Sequence, residues 1–552
     1  MKQNISIFLI GMLTLFPVQA QTDERPNILV IMSDDSGLDM SAYGSTYVDT
    51  PAFDAIAEQG ILFNRAYTPN AKCAPSRAAV ITGRNSWQLD AAANHVIYFP
   101  PKFKTYQETL LENGYTTGHT GKGWAPGVTL REDGTERQVM GPAYDEKTLE
   151  PATEFIGTND YSANFTDFLD KAPANSPWSF WVGTIEPHRG YEYGSGVKLG
   201  GKSTDMIKDF PPYWPDNEIT RNDLLDYAFE IEDTDRHIGK IMETLRERGL
   251  LENTLIVVTS DHGMPFPRVK GDQYENANHV PMAILWKDKM KSTDAKPERG
   301  KLAKKTSALR AVDDYVSFVD LAPTFLEAAG VNWQASGMHP AAGKSLMNIL
   351  TSNESGQVDP ERSFVLIGKE RHDTGRPDDV GYPIRGIHKN NMLYIRNYET
   401  DRWPSGNPET GYLNTDGSPT KTEILNLRRN GDKEFWKLNF GKRSEEELYD
   451  IAKDPFCMNN LAGDPSFTSK KEALKKEMET KLMEQGDLRM QGYGHLYEQY
   501  PFVKGRGRDF YGDFMAGKNP KAGWVKDTDF EPYFLDGDGN ELRKVKMGAP
   551  KD

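Results

Sequence analysis

The sequence predicts an α/β fold: a large mixed sheet covered by helices, with a smaller C-terminal α+β subdomain. Three observations predict it. Two unalternating apolar runs, Asn27-Ile28-Leu29-Val30-Ile31-Met32-Ser33 and Thr254-Leu255-Ile256-Val257-Val258-Thr259-Ser260, have the composition of strands buried on both faces. Between them lie helical segments, of which Asp223 to Arg248 has the apolar spacing of one face of a helix. Beyond about residue 350 the texture changes to short strands, many turns and a charged helix.

The elements follow in order. Lys2, the apolar run Ile5 to Phe16 and Val18-Gln19-Ala20 read as a signal peptide over residues 1–20, cut near Ala20. The run is too short to span a bilayer, and no cysteine follows the cut to carry a lipid. The mature chain is therefore expected to be exported, periplasmic or secreted, with no membrane anchor. A core domain is expected over residues 21–350. Its first strand ends in Asp34-Asp35 and its second in Asp261-His262. Ligands gather beyond the carboxyl ends of strands in such sheets, so these two acidic ends should lie side by side. A further strand runs from Trp178 to Thr184, and the core closes near the helix Asp320 to Ala329, stopped by Gly330. In the subdomain, residues 351–552, strands are expected at Phe364 to Ile367 and Met392 to Arg396, and a helix from Lys470 to Gln485.

At 552 residues the chain exceeds the size at which one core stops growing. A net charge of -15 disfavours nucleic acid as a partner and gives no bulk attraction for an anion. An anion site must then be built locally. There are two cysteines, Cys73 and Cys457. Export makes a disulfide between them the bland expectation; the surroundings of Cys73 point elsewhere.

Asp34, Asp35 and Asp261 offer hard oxygen ligands for a divalent cation such as calcium, with His262 alongside. The competing reading is that they cap the helices that follow. The segment Ser76 to Ile81 reads as a helix, Pro75 suits its first turn, and a helix N-terminus favours anions. Arg77 adds a fixed positive charge. A metal, an arginine and a nucleophile at one helix start describe a site for a tetrahedral oxyanion.

Cys73-Ala74-Pro75-Ser76-Arg77 followed by Thr82-Gly83-Arg84 resembles the signature of the type I sulfatases, in which the cysteine is oxidised to formylglycine (3-oxoalanine). The resemblance extends through Asp34-Asp35, Gly121-Lys122, Pro187-His188, Asp261-His262, Lys270 with Tyr274-Glu275, and Leu448-Tyr449-Asp450 to Asn460-Leu461. Ile185 to Gly190 and Met264 to Pro267 look closest to the heparan N-sulfatase and bacterial polysaccharide-sulfatase branches. The resemblance implies the alkaline-phosphatase-like sulfatase fold. It implies that a sulfatase-maturing enzyme acts on Cys73. One calcium is then expected on Asp34, Asp35, Asp261, His262 and the modified Cys73. Arg77, Lys122 and Lys270 stabilise charge, and His188 protonates the leaving atom. Two departures stand out. Trp124 takes the place of a histidine that many relatives carry two residues after the lysine, leaving His95 or His119 as substitutes. His262 stands where many relatives have asparagine.

The substrate rim is expected in the subdomain, at His372 and Arg385 within the polar stretches Gly368 to His372 and Tyr382 to Arg385, together with His95. Two motif matches are rejected. Gly196 to Ser203 fits a phosphate-loop pattern but lacks the strand before it and the helix after it. Asp536 to Glu541 resembles half a calcium loop without its sixth-position glycine and reads as a β-turn. The leading function is a calcium-dependent formylglycine sulfatase for a sulfated polysaccharide, heparan-type or an algal polymer such as ulvan. A phosphatase or phosphonate hydrolase on the same fold, and an inactive carbohydrate-binding homologue, are the alternatives.

Overall fold

A computed structural model describes residues 25–174, 176–290, 309–503 and 508–546. The expected leader lies outside the described residues. Strand β1 (Asn27–Ser33) is buried along its whole length, and alternate residues feed two cores. Leu29 and Ile31 enter one hydrophobic cluster; Ile28, Val30 and Met32 enter another. A strand covered on both faces has no polar side to alternate with, which is why the run is continuous.

The remaining strands of this sheet are β2 (Ile61–Phe63), β3 (Thr116–Gly121), β4 (Trp178–Gly183), β5 (Thr254–Ser260), β6 (Met282–Leu285) and β7 (Ala311–Val312). Their order is β7-β2-β6-β5-β1-β4-β3. Only β6 runs antiparallel to its neighbours, so the sheet is mixed, as expected. Ser33 pairs with Ser260, which sets the ends of β1 and β5 level.

Helix α1 (Cys73–Thr82) supplies Ala74, Ala78, Val80 and Ile81 to one core, on the face shared with α3 (Leu321–Ala328). The opposite face is covered by α2 (Glu218–Glu247), 30 residues long. Asn217 caps α2 by accepting from the Thr220 amide, and Leu224, Ala228, Ile231, Ile238, Ile241 and Leu245 fall on its inner stripe.

The C-terminal part forms a four-stranded antiparallel sheet in the order β8 (Phe364–Lys369), β9 (Ile384–Lys389), β10 (Met392–Asn397), β11 (Glu446–Asp450). Helix α4 (Thr468–Glu484) packs Leu474, Met478 and Leu482 against it. The two rejected motifs behave as loops. Gly196 to Ser203 begins inside one helical turn, Ser195–Lys198, and is followed only by a 3-10 turn, Thr204–Met206, while Asp536 to Asn540 turns a hairpin between Tyr533–Leu535 and Glu541–Lys544. Cys73 and Cys457 are both buried and unbonded, which overturns a disulfide between them.

Candidate active site

The level ends of β1 and β5 bring the two acidic sequences together. The Asp261 amide donates to Ser33 O at 3.0 Å, and the Asp35 amide donates to Asp261 Oδ1 at 3.0 Å. Asp35 has a φ of 72°, a left-handed conformation that turns the chain sharply after β1.

Cys73 opens α1, and all ten residues of that helix are buried. The helix is tied to β5 through Ser76, whose hydroxyl donates to Asp261 O at 2.6 Å. One turn in, Arg77 Nε donates to Asp261 Oδ2 at 2.9 Å, and its other nitrogens face Asp34 Oδ1 at 3.4 Å and Lys122 O at 2.7 Å. The guanidinium is therefore fully engaged in bracing carboxylates and backbone. At the far end Gly83, with φ 67°, closes the helix; a Cβ there would meet the Trp333 ring and Pro323.

One atom each from Asp34, Cys73, Asp261 and His262 lies within 4.8 Å of the others. Asp35 joins through its Oδ1, 3.0 Å from His262 Nε2, and Cys73 Sγ is 3.5 Å from the same nitrogen. His262 Nδ1 donates to Gly263 O at 2.9 Å, which turns Nε2 toward Asp35 and Cys73; burial would lower this imidazole, but the Asp261 and Asp35 carboxylates hold it well above its usual range. Lys122 Nζ lies 2.5 Å from Asp34 Oδ2, and Lys270 Nζ lies 2.6 Å from Asp35 Oδ2. Charge is uneven across this cluster. Burial pushes the Asp261 carboxyl up to about 8, with the Asp34 carboxylate adding to it. Burial would raise Asp34 too, but Lys122 and Arg77 hold it well below the usual range. Three buried carboxylates with an imidazole make a hard donor set that fits a divalent cation.

Beside the cluster is a cavity of about 510 Å³ lined by Cys73, Lys122, His188, Lys270 and His95, among others. His188 donates from Nδ1 to Arg189 O at 2.7 Å, so Nε2 is its working nitrogen, 4.0 Å from Asp35 Oδ2. Arg189 in turn grips Asp223 of α2 through both terminal nitrogens, at 2.7 and 2.9 Å, which fixes the loop that carries His188.

Of the expected rim, His95 lines this cavity and two residues do not. His372 is fully buried, with Nε2 2.8 Å from Asn70 Oδ1. Arg385 is fully buried between Asp487 at 2.6 Å and Glu370 at 2.7 Å. Antiparallel pairing sets Arg385 opposite Gly368, which has no side chain to displace the guanidinium toward the cavity. The expectation that these two read substrate is corrected: both are internal. His119 also turns away, donating from Nδ1 to Gly141 O at 3.1 Å, and Trp124 uses its indole N–H on Ala74 O at 3.0 Å.

Sequence reasoning missed Asp416, which lines the cavity and meets Lys270 Nζ at 2.9 Å. It also missed Lys72, Asp373 and Thr374, and the aromatic stretch around Phe502, Phe510 and Trp524. Asp373 follows directly on the quoted polar stretch, so its signal was one residue away; Asp416 sits in a turn sequence, Asn414-Thr415-Asp416-Gly417, that carries none.

The chain is similar to several known proteins. The family model described as Sulfatase matches residues 26–331. An ulvan-active sulfatase of Formosa agariphila is 26% identical over 514 residues, covering 84% of this chain and 76% of the relative. The N-sulphoglucosamine sulphohydrolase of Homo sapiens is 26% identical over 495 residues, covering 82% of this chain and 89% of the relative. Among solved structures, a protein in complex with its substrate D-glucosamine-2-N,6-O-disulfate superposes with a TM-score of 0.57 at 20% identity, over 84% of this chain and 98% of that one. A phosphonate monoester hydrolase of Agrobacterium radiobacter superposes with a TM-score of 0.52 at 16% identity, over 84% of this chain and 96% of that one.

Proposed function

This chain belongs to the sulfatase family, and from that premise we propose that it is an exported hydrolase that removes sulfate from a sulfated polysaccharide or its oligosaccharides, using a formylglycine made from Cys73 and one calcium ion. The observation that carries the reading is the single buried cluster in which Cys73, Asp34, Asp261 and His262 converge at a helix start beside Lys122 and Lys270. Asp34, Asp35, Asp261 and His262 would hold the ion, which supplies Lewis-acid polarisation of the sulfate. The hydrated aldehyde, once made from Cys73, would supply a hydroxyl nucleophile at that position and a second hydroxyl for the release of sulfate.

The chain's own residues do the rest. Arg77 braces Asp34 and Asp261 so that both carboxylates point at one place. Lys122 and Lys270 neutralise charge on the oxyanion, and the start of α1 adds its field there. His188 holds its Nε2 toward the site and delivers a proton from it to the leaving atom. Asp416 keeps Lys270 charged and in place. Polysaccharide specificity is supported by the relatives, of which one is named ulvan-active and one acts on N-sulphoglucosamine. Export is supported by the leader-like N-terminus, and no helix of the described residues is long and apolar enough to cross a membrane.

The test is a panel of heparan-type and ulvan oligosaccharides, para-nitrophenyl sulfate and para-nitrophenyl phosphate, on enzyme matured at Cys73. Sulfate release from a glycan, with phosphate ester turnover far slower, is expected. Faster phosphate than sulfate hydrolysis would move the assignment to the phosphatase reading, which His262 in the ligand set favours.

A further inference from the structure

Among the described residues, two polar atoms beside the active-site cavity have neither a hydrogen-bond nor an ion-pair partner: His95 Nε2 and Thr374 Oγ1. Both residues line the cavity that holds Cys73, and they are only 7% and 4% exposed. Buried polar atoms are mostly satisfied, so a pair left open at one cavity wall is placed to take a partner from the cavity.

The imidazole is held in one orientation. His95 Nδ1 lies 3.0 Å from Asp373 Oδ1, and Lys72 Nζ lies 2.7 Å from Asp373 Oδ2. Burial would raise the Asp373 carboxyl, but Lys72 and His95 hold it well below the usual range, so it accepts from Nδ1–H and leaves Nε2 free. The backbone is fixed as well: the His95 amide donates to Arg371 O at 3.1 Å, and the Asp373 amide donates to Asn414 Oδ1 at 3.2 Å. Val96, next in the chain, has φ 54°, a costly conformation for a β-branched residue, and its carbonyl accepts from the Val503 amide at 3.0 Å.

His95 belongs to neither group of side chains that could hold a metal ion; its contacts are with Asp373 and the backbone, while His188 stands at the acid cluster. Its free nitrogen is therefore available to a part of the substrate other than the sulfate. An imidazole nitrogen and a threonine hydroxyl suit groups that both donate and accept, as sugar hydroxyls do. We propose that His95 and Thr374 form a hydroxyl-reading subsite for the sugar ring that carries the sulfate, with Asp373 and Lys72 as the residues that position it. This rests on the sulfatase reading above and names the part of the substrate that this wall recognises.

The test uses Thr374→Val, His95→Ala and His95→Gln in the full, matured chain. Two substrates are compared: the heparan-type or ulvan oligosaccharide that the wild type cleaves faster, and para-nitrophenyl sulfate, which has no sugar. Thr374→Val and His95→Ala should each lower kcat/KM on the oligosaccharide about ten- to a hundredfold, the scale of a lost polar contact to a buried partner. Turnover of the aryl sulfate should change less than about threefold. His95→Gln, whose amide can reach the same position, should recover part of the loss. Binding gives a second readout: in a Cys73→Ala background, calorimetry with the same oligosaccharide should show weaker Kd for both deletions. Unchanged Kd and unchanged kcat/KM on the oligosaccharide would overturn the subsite. Equal losses on both substrates would assign the pair to the sulfate centre or the fold, and overturn it also. A wild type inactive on every sulfate, glycan and aryl alike, would overturn the sulfatase reading first and this inference with it.

Discussion

Cys73 stands where a positive field is concentrated, at the start of a buried helix with Lys122 and Lys270 nearby. Burial and the Asp34 carboxylate would raise its thiol, yet the two lysines hold it well below the usual range. That environment suits an anionic oxygen as well as it suits a thiolate. If the aldehyde forms there, the Cys73 peptide from protein co-expressed with a maturing enzyme should carry the thiol-to-aldehyde mass change. Fully active protein bearing only free thiol would sink the assignment. Cys73→Ala should abolish turnover and leave the melting temperature within a few degrees, since alanine suits the helix start. The carboxylates make a separate demand. Asp34, Asp35 and Asp261 share one buried space at the ends of β1 and β5, and a divalent ion held there would relieve their repulsion. Chelation should therefore silence the enzyme and lower its melting temperature, and calcium should restore both. Full activity after exhaustive chelation would contradict the ligand set.

At the scale of elements, β1 and β5 were legible because a strand covered on both faces must be apolar throughout, and few other elements look like that. The acids at their ends were legible for the same reason: the register of such strands forces their ends together. Helix α2 was legible from its stripe, but its polar side hides a buried cost. Glu230 on α2 is 1% exposed and its Oε1 has no hydrogen-bond partner among the described residues. Burial, and then the carboxylates of Glu186 and Asp233, push its carboxyl up to about 9 from an ordinary 4.5. The unfolded chain loses that proton first. The penalty on folding is thus absent below about pH 4.5 and grows until the folded group ionises near pH 9. Glu230→Gln should stabilise the fold by about 1–3 kcal/mol at pH 8 and by far less at pH 4.5. Urea unfolding at the two pH values measures this. A stabilisation independent of pH would show that Glu230 is not the group that titrates.

At the scale of the molecule, the cavity is walled by residues that no local pattern links: His95 ahead of β3, Asp373 after β8, Asp416 in a turn, and Trp524 near the end of the chain. Their meeting depends on how the four-stranded sheet seats against the large one, which periodicity does not encode. That is why the acidic cluster was readable in the sequence, while of the wall only His95 was. Arg385 shows the difference. A polar stretch at a strand end looks like a rim, but β9 pairs through Gly368 and turns its arginine inward, where Glu370 and Asp487 take both sides of the guanidinium. Arg489 Nη2 holds the same Glu370 at 2.6 Å, so the group is a buried network joining β8, β9 and the segment after α4. Removing one member of such a network strands the opposite charges away from water, at a cost of about 3–5 kcal/mol. Arg385→Ala should therefore destabilise the protein by that amount in urea unfolding. Below its melting temperature it should lower turnover of para-nitrophenyl sulfate and of oligosaccharide by the same factor. Arg385→Lys should recover little, because one ammonium cannot serve two carboxylates as a guanidinium fork does. A loss confined to the oligosaccharide, with stability unchanged, would return Arg385 to the substrate rim and overturn its place in the interior.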